Sequence, residues 1–230
     1  MKKQQKTFHR KLWSISASSM RLQIAVDVAD TARILEIASD INDVIDIFEV
    51  GTPIIMSEGM TPVRELKKNF PDLCVLADTK IVDGGRIEAE DVCKAGADIL
   101  TVLAVSDNAT IEEVVEVAHE NDRKVMADLI CVRNIEDRAA ELLTMGVDYI
   151  GVHTGVDMQK SGRTPLGDLE RLTKVIDPVL ISVAGGIKYD TVNDYVALKP
   201  GIIIAGSALY NAADIRNAVI RMKEHFNYEH

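Results

Sequence analysis

Eight apolar runs with the length and bounds of buried strands recur along the chain, at 22–28, 44–50, 73–77, 99–105, 124–130, 149–153, 179–184 and 201–205. Between them the apolar residues switch to helical spacing. Ile111, Val114, Val115 and Ala118 fall on one helix face, and Ile135, Ala139, Leu142 and Leu143 repeat the pattern behind a capping residue, Asn134. Asp190 and Thr191 predict a helix start before Val192, and Asn211 predicts the start of the last helix.

The residues that close the eight runs are Asp27, Glu49, Asp78, Leu103, Asp128, His153, Ala184 and Gly206, at separations of 22, 29, 25, 25, 25, 31 and 22 residues. Eight strands with a strand–helix period near 25, and no linker-like stretch, predict a single-domain (β/α)8 TIM barrel of the α/β class. A doubly wound open sheet is the competing architecture, but it normally carries a Gly-x-Gly-x-x-Gly turn after its first strand. Here that turn reads Asp27-Val28-Ala29-Asp30, without glycine.

Length and charge narrow the picture further. A chain of 230 residues with 47% hydrophobic residues suits one large domain with a sizeable core. A net charge of −10 argues against nucleic acid or an anionic membrane as the main partner, and no apolar run approaches the length of a membrane span. Small anions are not excluded, because backbone amides bind phosphate locally. Cys74, Cys93 and Cys131 lie far apart without metal or redox spacing, which predicts buried thiols in a reducing cytoplasm. Residues 1–19 are basic, with Lys2, Lys3, Lys6, Arg10 and Lys11, and lack the apolar segment of a secretory signal. They read as a loose extension ahead of a catalytic domain at 20–230.

In barrels the chemistry sits at the C-terminal strand ends, and five of the eight closing residues here are acidic or histidine. The densest group is Asp78-Thr79-Lys80-Ile81-Val82-Asp83, in which two carboxylates flank a lysine and two glycines follow. Such a triad costs desolvation and is retained for use or to finish a strand end. Glu49 and Asp78 are candidates for Mg²⁺, which takes one or two carboxylates and fills its shell with water and substrate oxygens. Taken singly, each is as well explained as a helix cap; their pairing with Lys80 favours the metal. His153 alone of five histidines closes a strand, and at this rim it reads as a general acid/base. Asp27 either binds substrate hydroxyls or caps the next helix. Glycine turns end the last two strands, Ala184-Gly185-Gly186 and Ala205-Gly206-Ser207, where barrels frequently hold phosphate. The expected ligand is a phosphorylated small molecule.

These residues resemble the orotidine 5′-monophosphate decarboxylase superfamily and, within it, the hexulose-6-phosphate synthase branch, from Met20 to about Lys223. The resemblance rests on Leu22-Gln23-Ile24-Ala25-Val26-Asp27, Glu49-Val50-Gly51-Thr52-Pro53, Leu76-Ala77-Asp78-Thr79-Lys80 through Asp83, Val152-His153-Thr154-Gly155-Val156-Asp157 and Ala184-Gly185-Gly186-Ile187. The 3-keto-L-gulonate 6-phosphate decarboxylases of the same group have Glu, Arg, Thr and Arg where this chain has Asp128, Val156, Ala184 and Ser207, so all four side with the synthase branch. The resemblance implies a Mg²⁺-dependent aldol condensation of D-ribulose 5-phosphate with formaldehyde through a 1,2-enediolate. Glu49 and Asp78 then hold the metal, Lys80 adds positive charge, and His153 is the base, with Asp128 positioning it or the substrate. Asp27 and Ala184, Gly185, Gly186, Gly206 and Ser207 bind the sugar phosphate. It also implies that Asp83 reaches a neighbouring subunit's site, hence a homodimer. The decarboxylase, and a catalytically silent sugar-phosphate-binding barrel, are the competing functions; loss of the rim lysine or histidine would mark the latter, and both are present.

Overall fold

The strands form a closed parallel barrel in the order β1-β2-β3-β4-β5-β6-β7-β8, as a computed structural model describes it for residues 20–28 and 30–227. The strands are β1 (Arg21–Val26), β2 (Ile47–Val50), β3 (Val75–Ile81), β4 (Ile99–Leu103), β5 (Lys124–Asp128), β6 (Tyr149–His153), β7 (Ile181–Ala184) and β8 (Ile202–Ala205). β1 closes on β8 with Arg21 beside Ile202 and Gln23 beside Ile204. The fold is a single-domain (β/α)8 TIM barrel. The expected extension at 1–19 lies outside the described residues, as do His9 and His230.

Alternation of side chains along each strand sorts the core into two parts. Ile47, Leu76, Ile99, Met126, Ile202 and Ile204 point inward and fill the barrel's middle. Their neighbours one residue away, such as Phe48, Val75, Leu100 and Ile203, point outward and pack under the helices. The same period of two places the next inward residue along each strand at the C-terminal mouth. Ile47 is followed by Glu49, Leu76 by Asp78, Ile99 by Thr101, Met126 by Asp128 and Ile204 by Gly206. The apolar layer is therefore the floor of whatever the mouth holds.

At the opposite end, three aspartates tie strand starts together. Asp46 accepts from Leu22 N at 2.9 Å, Asp98 from Val75 N at 2.9 Å and Asp148 from Val125 N at 2.9 Å. Each is also ion-paired: Asp46 with Lys223, Asp98 with Lys67 and Arg123, Asp148 with Lys124.

Several expected boundaries move. β3 does not stop at Ala77 but runs to Ile81, its pairing with β4 slipping between Ala77 and Ile81. Lys80 sits in the slip with φ 48, a left-handed conformation that costs a non-glycine residue energy. The last helix starts at Ile215, capped by Asp214, which accepts from Asn217 N; Asn211 instead ends the short helix Ser207–Tyr210. Asn134 does precede the helix Ile135–Thr144, but its side chain bonds Asp137 rather than a backbone amide. Of the three cysteines only Cys93 is buried; Cys74 is half-buried and Cys131 is exposed at the barrel mouth. Among the described residues no helix is long and apolar enough to cross a membrane.

Candidate active site

A cavity of about 1590 Å³ opens over the C-terminal mouth of the barrel. Asp27, Glu49, Asp78, Lys80, Asp128 and His153 all line it, as do Ala184, Gly185, Gly186, Gly206 and Ser207. Asp83 does not: it is exposed, and its Oδ1 accepts from Gly84 N at 2.8 Å. One of the expected site residues thus stands outside the cavity of its own chain.

The helix-capping explanation fails for the carboxylates. The helix Thr52–Glu58 after β2 is capped by Gly51 without a side-chain bond, and the helix Gly85–Ala95 after β3 by Gly84. Asp30, not Asp27, caps the helix Thr31–Ile41, accepting from Arg33 N at 2.8 Å. Asp27 is free for the cavity, and only glycine fits beside it: a Cβ on Gly51 would lie 2.0 Å from Asp27 Oδ1.

Asp78 is held from three sides. Lys80 Nζ donates to its Oδ2, Thr101 Oγ1 donates to its Oδ1 at 2.8 Å, and Thr52 Oγ1 lies 2.8 Å from both its Oδ2 and its backbone oxygen. Thr101 in turn accepts from Lys80 N at 2.9 Å. One threonine on β4 thereby fixes both the carboxylate and the strained turn of β3 that carries the lysine. Burial alone would depress the Lys80 ammonium, but Asp78 and Asp128 (3.7 Å away) outweigh it and hold it above the ordinary lysine range. A buried charge pair of this kind contributes little net stability, so its retention points to chemistry.

Glu49 is 8% exposed, and among the described residues its carboxylate is bonded only to Gln23, whose Nε2 donates to its Oε2 at 2.5 Å. Burial, and then the charge on Asp78, push its carboxyl up to about 8. Asp27 is raised too, by the surrounding protein and by Asp78. Asp128 goes the other way. Burial raises it, but the hydrogen bond and charge of His153, with Lys80, bring it below the usual carboxylate range. His153 Nδ1 lies 2.8 Å from Asp128 Oδ2, and Asp128 Oδ1 accepts from Ile130 N at 2.8 Å. An ionised Asp128 places the imidazole proton on Nδ1 and leaves Nε2 as the free base.

The donor set fits a hard divalent cation. Two carboxylates on adjacent strands face one cavity, and among the described residues Glu49 has no cation bonded to it and Gln23 Oε1 is buried without a partner. Among the described residues no group of three or more histidines, cysteines or acids is arranged to hold a metal ion; Mg²⁺ requires only one or two carboxylates. Sequence reasoning missed Gln23 and Thr101. Their signal was a polar residue at an inward position within an apolar strand.

The sequence and the fold have counterparts in known proteins. Residues 20–222 match the model of the orotidine 5′-phosphate decarboxylase / HUMPS family. The chain belongs to this family. It is 40% identical over 205 residues to the 3-hexulose-6-phosphate synthase of Bacillus subtilis, covering 89% of this chain and 98% of that protein. The structure of 3-hexulose-6-phosphate synthase from Salmonella typhimurium superposes with a TM-score of 0.86 at 39% identity, over 90% of this chain and 98% of the other. A 3-keto-L-gulonate-6-phosphate decarboxylase from Vibrio cholerae gives 0.80 at 27% identity, over 91% and 98%. Within the family, then, this chain is similar both to synthases and, at lower identity, to a decarboxylase. The four positions expected to separate them, Asp128, Val156, Ala184 and Ser207, all line the cavity.

Proposed function

We propose that this family member is a 3-hexulose-6-phosphate synthase, an aldehyde-lyase that joins D-ribulose 5-phosphate to formaldehyde and gives D-arabino-3-hexulose 6-phosphate, reversibly. The observation that carries the reading is the His153–Asp128 pair, set in one cavity with Lys80, Glu49 and Asp78. The similarity to synthases near 40% identity supports it.

The hard step is removal of the C1 proton beside the C2 carbonyl. His153 Nε2 takes that proton, and Asp128 holds the ring in the required tautomer and stabilises the imidazolium. The 1,2-enediolate that results carries its charge towards Lys80. Its C1 carbon attacks formaldehyde, and the new alkoxide takes a proton back, so none is consumed overall. Glu49 and Asp78 are the residues to hold Mg²⁺, which when bound supplies Lewis-acid stabilisation of the developing charge. Gly185 and Gly186, at φ 132 and 70, and Gly206 with Ser207 leave backbone bare for the phosphate, which anchors the reacting end.

Two further features enter the proposal. Asp83 serves the partner's site in a homodimer. Its exposure outside its own cavity supports this, as do the exposed Met56, Val82, Ile87 and Val105, which follow β2, β3 and β4. Three free cysteines suit a reducing compartment, and we place the enzyme in the cytoplasm.

The experiment offers the purified protein two reactions in parallel with Mg²⁺: ribulose 5-phosphate with formaldehyde, and 3-keto-L-gulonate 6-phosphate alone. Hexulose 6-phosphate as the dominant product supports the synthase. Faster carbon dioxide release from the gulonate would assign the decarboxylase instead, and silence in both would leave a binding barrel.

A further inference from the structure

Gln23 lies in β1 between Ile47 of β2 and Ile204 of β8, both apolar residues of the barrel interior. It is 1% exposed. An aliphatic side chain would pack against those neighbours without loss, whereas a buried amide surrenders its bonds to water and is retained where something replaces them. Half of that replacement is visible. Nε2 donates to Glu49 Oε2 at 2.5 Å, and among the described residues the Glu49 carboxylate has no other hydrogen bond and no ion pair. Gln23 is therefore what fixes the direction of the Glu49 carboxylate. The other half is missing: Oε1 is buried and has no partner among the described residues.

Both halves make sense if the amide belongs to the surroundings of a cation. A cation held by one or two carboxylates keeps several of its waters, and those waters need acceptors. Groups behind the direct ligands orient them and tune affinity. We propose that Gln23 is a positioning residue for the cation site. Nε2 holds Glu49 towards the cation, and Oε1 accepts a hydrogen bond from a water of the cation's shell. The inference rests on the cation assignment of the proposed function and extends it to a residue in the strand beside Glu49.

The test uses Mn²⁺ alone as probe, on metal-stripped full-length protein without substrate, with free Mn²⁺ counted by electron paramagnetic resonance. Gln23→Met keeps the volume and removes both polar atoms. Gln23→Asn keeps the amide but shortens its reach to Glu49. The expected result is one Mn²⁺ bound by the wild type and roughly 10–100-fold weaker binding by Gln23→Met, the loss that removal of an orienting group produces. Gln23→Asn should fall between the two. A purely structural role would lower thermal stability and leave Mn²⁺ affinity unchanged, so equal affinity of wild type and Gln23→Met overturns the proposal while the cation assignment stands. If Gln23→Met fails to fold, Gln23→Asn decides by the same criterion. A wild-type protein that takes up no Mn²⁺ brings down the cation assignment and this inference with it.

Discussion

Glu49 carries the most displaced charge of the mouth, and that displacement has a measurable consequence for folding. Its carboxyl titrates at about 8 in the folded chain, first because it is buried and then because Asp78 is close, whereas an unfolded glutamate titrates near 4.3. Between those two values the folded state holds a proton that the unfolded state releases. Stability therefore falls as pH rises through this window, and the full penalty is in place above it. Glu49→Gln removes the titrating group. In metal-free protein its melting temperature should equal or exceed that of wild type, with a gap that widens from about pH 5 to pH 8; a constant gap would mean that Glu49 titrates normally. At this scale much of the cavity's polar lining was readable from the sequence. Asp27, Glu49, Asp78, Asp128 and His153 each interrupt an apolar run at its end, where burial cannot explain them. Gln23 and Thr101 escaped because they stand inside such runs, and their meaning depends on which strand face looks inward. That follows only once register is known.

At the scale of elements, the mouth is mounted on a barrel whose opposite end is tied by aspartates, and the two ends should separate in experiment. Asp98 accepts from Val75 N, Lys67 and Arg123, joining the starts of β3, β4 and β5 at the end opposite the cavity. Asp98→Ala leaves a buried amide and two cations without their acceptor, a loss of about 3–5 kcal/mol by analogy with broken buried pairs. Urea titration should show that loss, while kcat in native buffer changes little. A loss below about 0.5 kcal/mol, the range of ordinary surface changes, would show that the tie is dispensable. Elements were legible where the apolar period was unbroken, as in β6 and in the helix Asn108–Glu120. Errors arose where polar residues continue a strand into the cavity. β3 continues through Asp78-Thr79-Lys80 because Thr101 and Thr52 satisfy groups that a soluble loop would expose to water. The last helix begins later than expected because Asp214 is the residue whose side chain reaches an amide.

For the whole molecule, closure of eight strands followed from their spacing, since a period near 25 leaves room for one helix per strand. The proposed association between chains was not legible in the periodicity of a single sequence; the proposal rests on the resemblance of the Asp-x-Lys-x-x-Asp segment and on Asp83's place outside its own cavity. A shared site makes a sharp prediction. Asp78→Ala and Asp83→Ala should each be nearly inactive alone. Refolded together, half of the sites in the mixed dimer carry an intact Asp78 from one chain and an intact Asp83 from the other, so activity should return. No recovery despite demonstrated mixed dimers would put Asp83 in its own subunit's site. The central claim is narrower and lies in the mouth itself: His153 removes the C1 proton of the sugar phosphate at a cation-dependent site. Its most direct test is hydrogen exchange at C1 of ribulose 5-phosphate in D2O, followed by proton nuclear magnetic resonance without formaldehyde. The account predicts exchange by wild type with Mg²⁺, abolition by EDTA with recovery on added Mg²⁺, and a fall of about 10²–10⁴-fold in His153→Gln. Undiminished exchange in metal-free wild type, or in His153→Gln with Mg²⁺, would contradict it.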